Sequence, residues 1–416
     1  MKKEPLEHKI YFVIQPMHFV SRMLGLSPFH IDPDYKFHNT GGCNFCHIIQ
    51  ATLLILLLLY GLYNSVLTFV NYNQPMYSVN LRIGWIICIV VTHLTSILTL
   101  LSTVTRDRNH MTNMLLLLSR VDNKLFRNNS KQSAYSQQRS RVIKQLWIML
   151  ILFGTYFTSC TYSFSDGTWI WYMFMVSQLL TDAINTAMML QYVNFVLMVK
   201  QRYQIVKHVL SEAAITDDGK SSTRLDTEHF RGSRNKGSNK TFPIASVTNS
   251  NSLYTIRDLR LICSELCDVL HANNKSYEVL ILLDVITILT FTVPTTYSGV
   301  MTIKYAIVEN GLFQLYLKGI SSLLKCVALL IIFMWSTLCC QNTTEQVNDI
   351  FICIQKLLLY PSAFDWSTSE LKGFSSQLKN SKCEFNICGF FTMNLQFFCA
   401  SVGVIFTYIV VLSQYS

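Results

Sequence analysis

Seven stretches of apolar residues, each long enough to cross a lipid bilayer as a helix, dominate this sequence. A hydrocarbon core about 30 Å thick requires roughly 20 apolar residues in an α-helix. The seven stretches are Ile48–Val70, Ile83–Thr105, Leu146–Phe164, Thr168–Val199, Val279–Ile303, Leu312–Cys340 and Phe385–Ser413. The pattern predicts an all-α membrane protein with seven transmembrane helices, so the lipid bilayer is its first expected partner.

The charged residues support a membrane protein and argue against one that binds nucleic acid. Asp, Glu, Lys and Arg make up 14% of the chain, whereas an average soluble domain carries about 25%. The net charge is +10, but the basic residues lie between the apolar stretches and do not form one patch. We therefore expect no nucleic-acid partner, because this distribution is the one that orients membrane helices.

The sequence carries no signature of an enzyme. Cys43-x-x-Cys46-His47 resembles half of a zinc site, but no second ligand pair follows at a matching spacing. We interpret Cys43 and Cys46 as reduced cytosolic thiols. There is also no nucleophile–base spacing and no glycine-rich phosphate loop. The sequence predicts a protein without enzymatic activity, metal or cofactor.

The distribution of Lys and Arg predicts the orientation of the helices in the membrane. Thirty of these residues lie in 1–47, 106–145, 200–278 and 341–384, and only two lie in the alternate connections. Basic residues are retained on the cytoplasmic side. The N-terminus is therefore predicted to be cytoplasmic, and an odd number of crossings places the C-terminus outside the cell.

The connections divide the chain into six segments. Within the longest connection, residues 215–252 are rich in Ser, Thr, Asn, Gly and Lys and lack the apolar content to fold, so we expect them to be disordered. The segments are a cytoplasmic N-terminal segment (1–47), transmembrane helices 1–4 (48–199), a cytoplasmic loop (200–278), transmembrane helices 5 and 6 (279–340), a cytoplasmic helical anchor segment (341–384) and transmembrane helix 7 (385–416).

A few polar residues interrupt the apolar stretches. Asp182 and Lys325 lie about midway along the fourth and sixth stretches, so a buried pair of opposite charges is expected, either structural or in contact with a ligand. Asp284 is expected near the cytoplasmic end of helix five, and His93 is expected to be a packing residue. Pro294 interrupts helix five and frees a carbonyl one turn earlier. We expect a kink there that faces helix seven near Tyr408.

The end of the last stretch resembles the C-terminal signature of insect gustatory receptors. It reads Thr407-Tyr408-Ile409-Val410-Val411-Leu412-Ser413-Gln414-Tyr415, with Tyr415 where the family has Phe and Ser413 where an apolar residue is usual. Cys388-Gly389-Phe390-Phe391, interpreted as the opening of helix seven, is also similar to that family. So is Leu24-Gly25-Leu26-Ser27-Pro28 before the first crossing.

This resemblance, which covers the whole chain, implies a tastant-gated, non-selective cation channel. It implies a homotetramer in the plasma membrane of a sensory neuron, with helix seven lining a central pore. A hetero-oligomer with other gustatory receptors is the alternative assembly. Each subunit is implied to have its own ligand pocket among the outer halves of its helices two to six.

The last helix also carries small and polar residues that suit a pore. Gly403, Thr407 and Gln414 share one stripe of a helix, and Tyr408 and Tyr415 share the adjacent stripe. Four copies of Gln414 around a narrow axis would satisfy each other's amides, and Tyr415 would supply the bulk of a gate. On the residues alone, interfacial side chains of the aromatic belt are the competing interpretation, and the resemblance favours the pore.

Aromatic and polar side chains on helices two to six are the candidate ligand contacts, because small-molecule pockets are mostly apolar with a few polar groups. Each aromatic residue taken singly is also compatible with the core or the interface. The candidates are Trp85, Tyr156, Ser159, Tyr162, Trp171, Tyr172, Gln178, Asp182, Thr295, Tyr297, Gln314 and Lys325. The predicted ligand is a bitter plant compound, with a fructose-type sugar as the alternative.

Other seven-helix and multi-helix classes fit less well. A G-protein-coupled receptor needs an extracellular N-terminus, which the charge distribution opposes. Transporters usually show internal repeats and broken helices, and neither is evident. An insect odorant receptor shares the inverted layout, but the Thr407-Tyr408 and Gln414 terminus favours taste over smell.

Overall fold

The computed structural model is helical over nearly all of the chain that it describes. The described residues are 7–27, 30–31, 37–38, 41–71, 79–105, 108–125, 131–163, 169–221, 255–308, 313–359, 368–381 and 383–414. The helices within them are α1 (Glu7–Met23), α2 (Gly41–Asn71), α3 (Val79–Thr105), α4 (Arg108–Leu125), α5 (Lys131–Ser163), α6 (Trp169–Ser221), α7 (Ile256–Val308), α8 (Phe313–Leu359), α9 (Thr368–Asn380) and α10 (Leu395–Gln414).

Two short antiparallel hairpins accompany these helices. The first pairs β1 (His30–Ile31) with β2 (Phe37–His38), and the second pairs β3 (Asn386–Ile387) with β4 (Phe391–Thr392). The predicted all-α class with several apolar membrane helices is confirmed.

Six of the helices in the described ranges are long and apolar enough to cross a membrane, namely α2, α3, α5, α7, α8 and α10. The fourth predicted crossing falls on α6, which is not among the six. Its hydropathy is lowered by polar residues such as Gln178, Asp182 and Asn185, and all three side chains are buried. A helix surrounded by other helices can carry polar groups that lipid would not accept.

α6 lies at the centre of the bundle and packs against α2, α3, α7 and α8. Residues along its length are almost fully buried, including Ile184, Tyr192 and Val199. α5 contrasts with it, because Trp147, Ile148, Leu150 and Ile151 are all exposed. The outer helices therefore present the apolar surface that a bilayer covers, and α6 forms the core.

α7 and α8 each join a predicted crossing to a predicted helix outside it. α7 runs without a break from Ile256 to Val308, and α8 runs on to Leu359. Together with α4, α9 and the end of α6, these extensions form what we call the anchor bundle (residues 108–125, 200–221, 256–278, 341–359 and 368–380). α6 ends at Ser221, inside the segment 215–252 that the sequence predicts to be disordered.

A buried ion pair stabilises the anchor bundle. The guanidinium of Arg202 on α6 donates through Nε and Nη2 to the two carboxylate oxygens of Asp122 on α4, at 2.9 Å and 2.7 Å. The hydroxyl of Tyr135 on α5 donates to the same carboxylate at 2.6 Å. Arg202 and Asp122 are 1% and 0% exposed. Two-pronged pairing of this kind satisfies buried charges that would otherwise be costly.

The segment Leu24–Ser27 ends α1 and docks it against the bundle. Gly25 has a φ of +71°, a left-handed conformation that glycine adopts without strain. Its carbonyl accepts hydrogen bonds from His47 Nε2 on α2 and Thr103 Oγ1 on α3, each at 3.1 Å. Part of the sequence that resembles the gustatory receptors is therefore a helix cap that holds α1 to two crossing helices.

Helix seven begins later than the sequence indicates. Residues from Phe385 form the β3–β4 hairpin, and the Cys388-Gly389 turn has φ values of +49° and +76°. Such a turn cannot open a helix, so the prediction that Cys388–Phe391 opens helix seven is wrong. Asn394 begins α10 instead, because its Oδ1 accepts the backbone N–H of Phe397 at 2.8 Å, as a helix-capping residue does.

Candidate functional site

An ion pair within the membrane bundle is the centre of the candidate site. The ammonium of Lys325 on α8 lies 2.6 Å from the carboxylate of Asp182 on α6, and each side chain is 7% exposed. The predicted pairing of these two residues is confirmed. An intramembrane charge is costly unless it is paired, which makes such a pair a candidate functional feature.

Aromatic rings surround the Lys325 ammonium. Its Nζ lies 4.2 Å from the ring centre of Phe291 on α7 and 4.9 Å from that of Tyr156 on α5. Phe291 in turn meets Trp85 on α3 edge to face, at 5.9 Å between ring centres. Both distances from Nζ are within the range of cation–π attraction. Lys325 is thus held by one carboxylate and two rings that come from three different helices.

A small cavity opens beside the ion pair between α5, α6 and α8. Its volume is about 30 Å³, enough for one or two water molecules and far below the roughly 300–1,000 Å³ of ligand pockets. The lining is mainly apolar and consists of Met149, Leu152, Phe153, Tyr156, Asp182, Thr186, Leu324, Lys325, Ala328, Leu329 and Ile332.

A second small cavity lies on the other side of Asp182. Its volume is about 20 Å³, and Asp284 and Phe291 of α7 line it together with Asp182, Asn185 and Thr186 of α6. Asp182, Thr186, Leu329 and Ile332 line both cavities. The sequence predicts Asp284 near the cytoplasmic end of helix five, but the side chain is buried beside this second cavity.

Hydroxyl groups and an imidazole of α3 extend the polar region. Ser96 donates to Oδ1 of Asn185 at 3.0 Å, and Thr95 and Thr287 share a hydrogen bond at 2.8 Å. His93 Nε2 lies 2.7 Å from the hydroxyl of Ser177, and its Nδ1 lies 2.8 Å from the carbonyl of Ile89. The prediction that His93 is a hydrogen-bonded packing residue is confirmed.

The structure brings together only part of the predicted set of ligand contacts. Tyr156, Asp182 and Lys325 share the first cavity, and Trp85 is linked to it through Phe291. Gln178 and Thr295 are buried away from both cavities. The remaining candidates are Ser159 and Tyr297, which are partly buried, Tyr172 and Gln314, which are exposed, and Tyr162 and Trp171, whose side chains lie outside the described residues.

Sequence reasoning missed two side chains of this site. Phe291 is not among the predicted contacts, and Asp284 is predicted near the cytoplasmic end of helix five, outside the ligand pocket. Asp284, Thr287, Ile288 and Phe291 recur at intervals of three and four residues, so they lie on one face of α7. That spacing was the available signal, but the rotation of α7 that turns this face toward α6 could not be read from the sequence.

Pro294 lies on α7 against α3. Because proline lacks an N–H, the carbonyl of Thr290 loses its helical partner, and Cys88 Sγ on α3 donates to it at 2.9 Å. A Cβ placed on Gly84 of α3 would lie 3.8 Å from Cβ of Pro294. The sequence predicts that this position faces Tyr408 of helix seven, whereas both the ring and the freed carbonyl meet α3.

α10 lies on the outside of the helical bundle. Within it only Ser401 and Ile405 are buried, and it packs on α7 and α8. Gly403, Thr407 and Gln414 are exposed on the opposite side of the helix, and Tyr408 is 58% exposed. Tyr415 lies outside the described residues. The stripe that the sequence assigns to a pore therefore faces away from the rest of the chain.

Comparison with known proteins gives one family match and several similar solved structures. The family model of 7tm chemosensory receptors matches residues 14–416. The insect olfactory receptor OR5 from Machilis hrabei has 12% sequence identity and a TM-score of 0.67, over 99% of this chain and 100% of that one. The same receptor in complex with eugenol has 13% identity and a TM-score of 0.61, over 97% and 98%. No curated protein matches the chain.

Proposed function

The chain belongs to the 7tm chemosensory receptor family, and from this premise we propose that it is a gustatory receptor that opens a non-selective cation channel when a small organic tastant binds. The Asp182–Lys325 ion pair, with Tyr156 and Phe291 around Lys325, is the observation that carries the proposal. A paired charge at the centre of a membrane bundle, next to a cavity, provides a polar group that a ligand can displace or bridge.

The lining of the first cavity favours a bitter amphiphile over a sugar. Apart from Tyr156, Asp182, Thr186 and Lys325, its side chains are apolar. A sugar would bury hydroxyl groups that this lining cannot satisfy, and each unsatisfied group costs about 1–3 kcal/mol. A largely apolar molecule with one or two polar groups fits the chemistry better. The fructose-type sugar remains the second ligand class.

The cavity must enlarge before a tastant can enter. Its volume of about 30 Å³ compares with roughly 300 Å³ for the smaller ligand pockets. The ligand would have to part α5 from α8, which carry most of the lining. Such a separation would also move Lys325 relative to Asp182. Ligand binding would thereby be coupled to the packing of α6 and α8, which is the kind of two-state element that gating requires.

The proposed pore is formed by α10 from four subunits. Its single buried stripe and the exposed Gly403, Thr407 and Gln414 support this arrangement, since an apolar helix with one buried side needs further partners. The proposal includes seven crossings with α6 as the fourth, a cytoplasmic N-terminus, and a gate at Tyr408, Gln414 and Tyr415. A hetero-oligomer with other gustatory receptors is the alternative assembly.

An odorant receptor is the second candidate function. The similar solved structures are of an olfactory receptor, one of them with eugenol bound, but at this identity the likeness supports only the fold. The Thr407-Tyr408 and Gln414 terminus favours taste. A water-soluble bitter compound as the strongest agonist would support the gustatory receptor, and a volatile compound such as eugenol would support the odorant receptor.

Whole-cell recording from cells that express only this chain tests the proposed function. The panel should contain alkaloids, sugars and eugenol, and G-protein signalling should be blocked throughout. The proposal expects a cation current evoked by at least one bitter compound that survives the block. A current abolished by the block would instead indicate a G-protein-coupled receptor. A current that appears only with a second receptor subunit would support the hetero-oligomer.

A further inference from the structure

Two cysteine thiols meet in the anchor bundle, away from the cavities described above. Sγ of Cys267 on α7 lies 3.1 Å from Sγ of Cys383, which stands between α9 and β3. Both side chains are partly exposed, and both thiols are free. The hydroxyl of Tyr203 on α6 lies 3.8 Å from Cys383 Sγ. Two thiols that are in contact and not fully buried are a candidate modification site.

The two thiols are not equivalent. The hydrogen bond to Cys267 and, after it, burial raise the pKa of the Cys383 thiol above its ordinary value. The same hydrogen bond, opposed by burial, lowers the pKa of the Cys267 thiol below its ordinary value. A sulfur that accepts a hydrogen bond has its thiolate form stabilised. Thiolate character combined with exposure is what makes a cysteine react with peroxides.

We propose that Cys267 and Cys383 form an oxidisable dithiol site, in which a hydroperoxide produces a disulfide that joins α7 to the segment leading into α10. For a disulfide to form, the sulfurs must move from 3.1 Å to a bond length of about 2.05 Å. A shift of this size is small for two side chains that are not fully buried.

The reaction is balanced with hydrogen peroxide as the oxidant. The Cys267 thiolate attacks one peroxide oxygen, the O–O bond breaks, and the departing hydroxide takes up a proton to leave as water, so that Cys267 becomes a sulfenic acid. Cys383 sulfur then attacks the sulfenic sulfur, the S–O bond breaks, and the proton of Cys383 leaves with the hydroxyl as a second water. Two thiols are oxidised and one peroxide is reduced to two waters.

The linked segment is already held by α7 and α8. The hydroxyl of Thr344 on α8 donates to the carbonyl of Cys383 at 3.1 Å, and the amide of Asn274 on α7 donates to the carbonyl of Asn386 at 2.7 Å. The β3–β4 hairpin and α10 follow directly. A disulfide would add a covalent connection to these hydrogen bonds and restrain movement of α10 relative to α7.

Chemical mapping of the full-length receptor tests the site. Cells that express it are treated with hydrogen peroxide, free thiols are alkylated, and the disulfide-linked peptides are identified by mass spectrometry. The expected product links Cys267 to Cys383 and disappears after treatment with dithiothreitol. Cys383→Ser should abolish it. Cys263→Ser, which removes a buried thiol one turn away on α7, should preserve it. Alkylation of both thiols after peroxide, or a link from Cys267 to Cys263, would overturn the proposal.

A current measurement tests the consequence and rests on the proposed channel function. Because a cross-link constrains the segments it joins, peroxide should reduce the ligand-evoked current by roughly twofold or more. The reduction should reverse with dithiothreitol, persist in Cys263→Ser and be absent in Cys383→Ser. A mapped disulfide with an unchanged current would overturn the restraint on α10. If only the proposed channel function is wrong, the disulfide will still be mapped, but untreated cells will give no ligand-evoked current.

Discussion

The Asp182 carboxylate on α6 lies 2.6 Å from the Lys325 ammonium on α8, in the interior of the helical bundle. Each charge stabilises the other in this position, because an unpaired charge in a membrane interior is costly. Asp182 also lines both small cavities, and Lys325 lines the first. The integrity of the pair therefore links the folding of the bundle to its proposed ability to bind a ligand.

Substitution of Lys325 by methionine should destabilise the receptor strongly. The change leaves the Asp182 carboxylate buried without its partner, and breaking a buried pair in this way costs about 3–5 kcal/mol of unfolding free energy. The thermal unfolding of the purified receptor in detergent measures the effect. The double change Asp182→Leu with Lys325→Met removes both charges and should recover most of the loss. A double variant no more stable than the single one would contradict this account.

Tyr156→Ala should weaken the response to the ligand. The ring lies 4.9 Å from Lys325 Nζ and lines the first cavity, so its loss removes both a cation–π contact and part of the wall. We expect the half-activating concentration to rise by roughly tenfold, the equivalent of about 1.4 kcal/mol. Tyr60→Ala on α2, where the ring is 53% exposed, is the matched control and should leave it unchanged. Equal effects of the two substitutions would remove Tyr156 from the site.

Pro294→Ala should stabilise α7 while altering the response to the ligand. Alanine restores the N–H that the Thr290 carbonyl lacks, and proline within a helix costs about 3 kcal/mol relative to alanine. The Thr290 carbonyl would then accept a backbone N–H and would not depend on the hydrogen bond from the Cys88 thiol. We expect a higher unfolding temperature together with a shifted half-activating concentration. Cys88→Ala should lower stability, and Cys46→Ala, which removes an exposed thiol, should change neither quantity. An unaltered response in Pro294→Ala would exclude a role for this contact in gating.

The Asp122–Arg202 pair should dominate the stability of the anchor bundle. Asp122→Asn leaves a fully buried guanidinium without its carboxylate, which should cost about 3–5 kcal/mol. Lys124→Gln breaks a neighbouring ion pair with Glu265, in which the Lys124 side chain is 38% exposed and that of Glu265 is 22% exposed. This change should cost less than about 1 kcal/mol of unfolding free energy. Thermal unfolding of both variants in detergent provides the comparison. Similar losses would show that burial of the pair contributes little.

The crossing helices were predictable because the bilayer imposes a minimum length and an apolar composition. The start of helix seven was not, because Phe385–Thr392 is apolar enough to continue a helix but instead forms the β3–β4 hairpin. The left-handed Cys388-Gly389 turn and the capping Asn394 decide this locally. A glycine followed within five residues by a capping asparagine was the signal available in the sequence.

The candidate site was predictable in part for the same physical reason. Asp182 and Lys325 have opposite signs at similar depth, and in a bilayer each needs a partner. Phe291 and Asp284 could not be placed, because their positions depend on how α7 is rotated about its axis. Packing against α3, α6 and α8 sets that rotation. The sequence of α7 alone carries no signal of the rotation beyond the spacing of its polar residues.

The most direct test of the central claim, that ligand binding opens a pore lined by α10, is modification of Thr407→Cys in excised patches that contain this chain alone. Thr407 lies on the exposed stripe of α10. A positively charged methanethiosulfonate reagent should block the ligand-evoked cation current of Thr407→Cys, while Ile405→Cys, on the buried side, should resist it. A current that flows unchanged after Thr407→Cys is modified, or that vanishes once the patch is excised, would contradict the account.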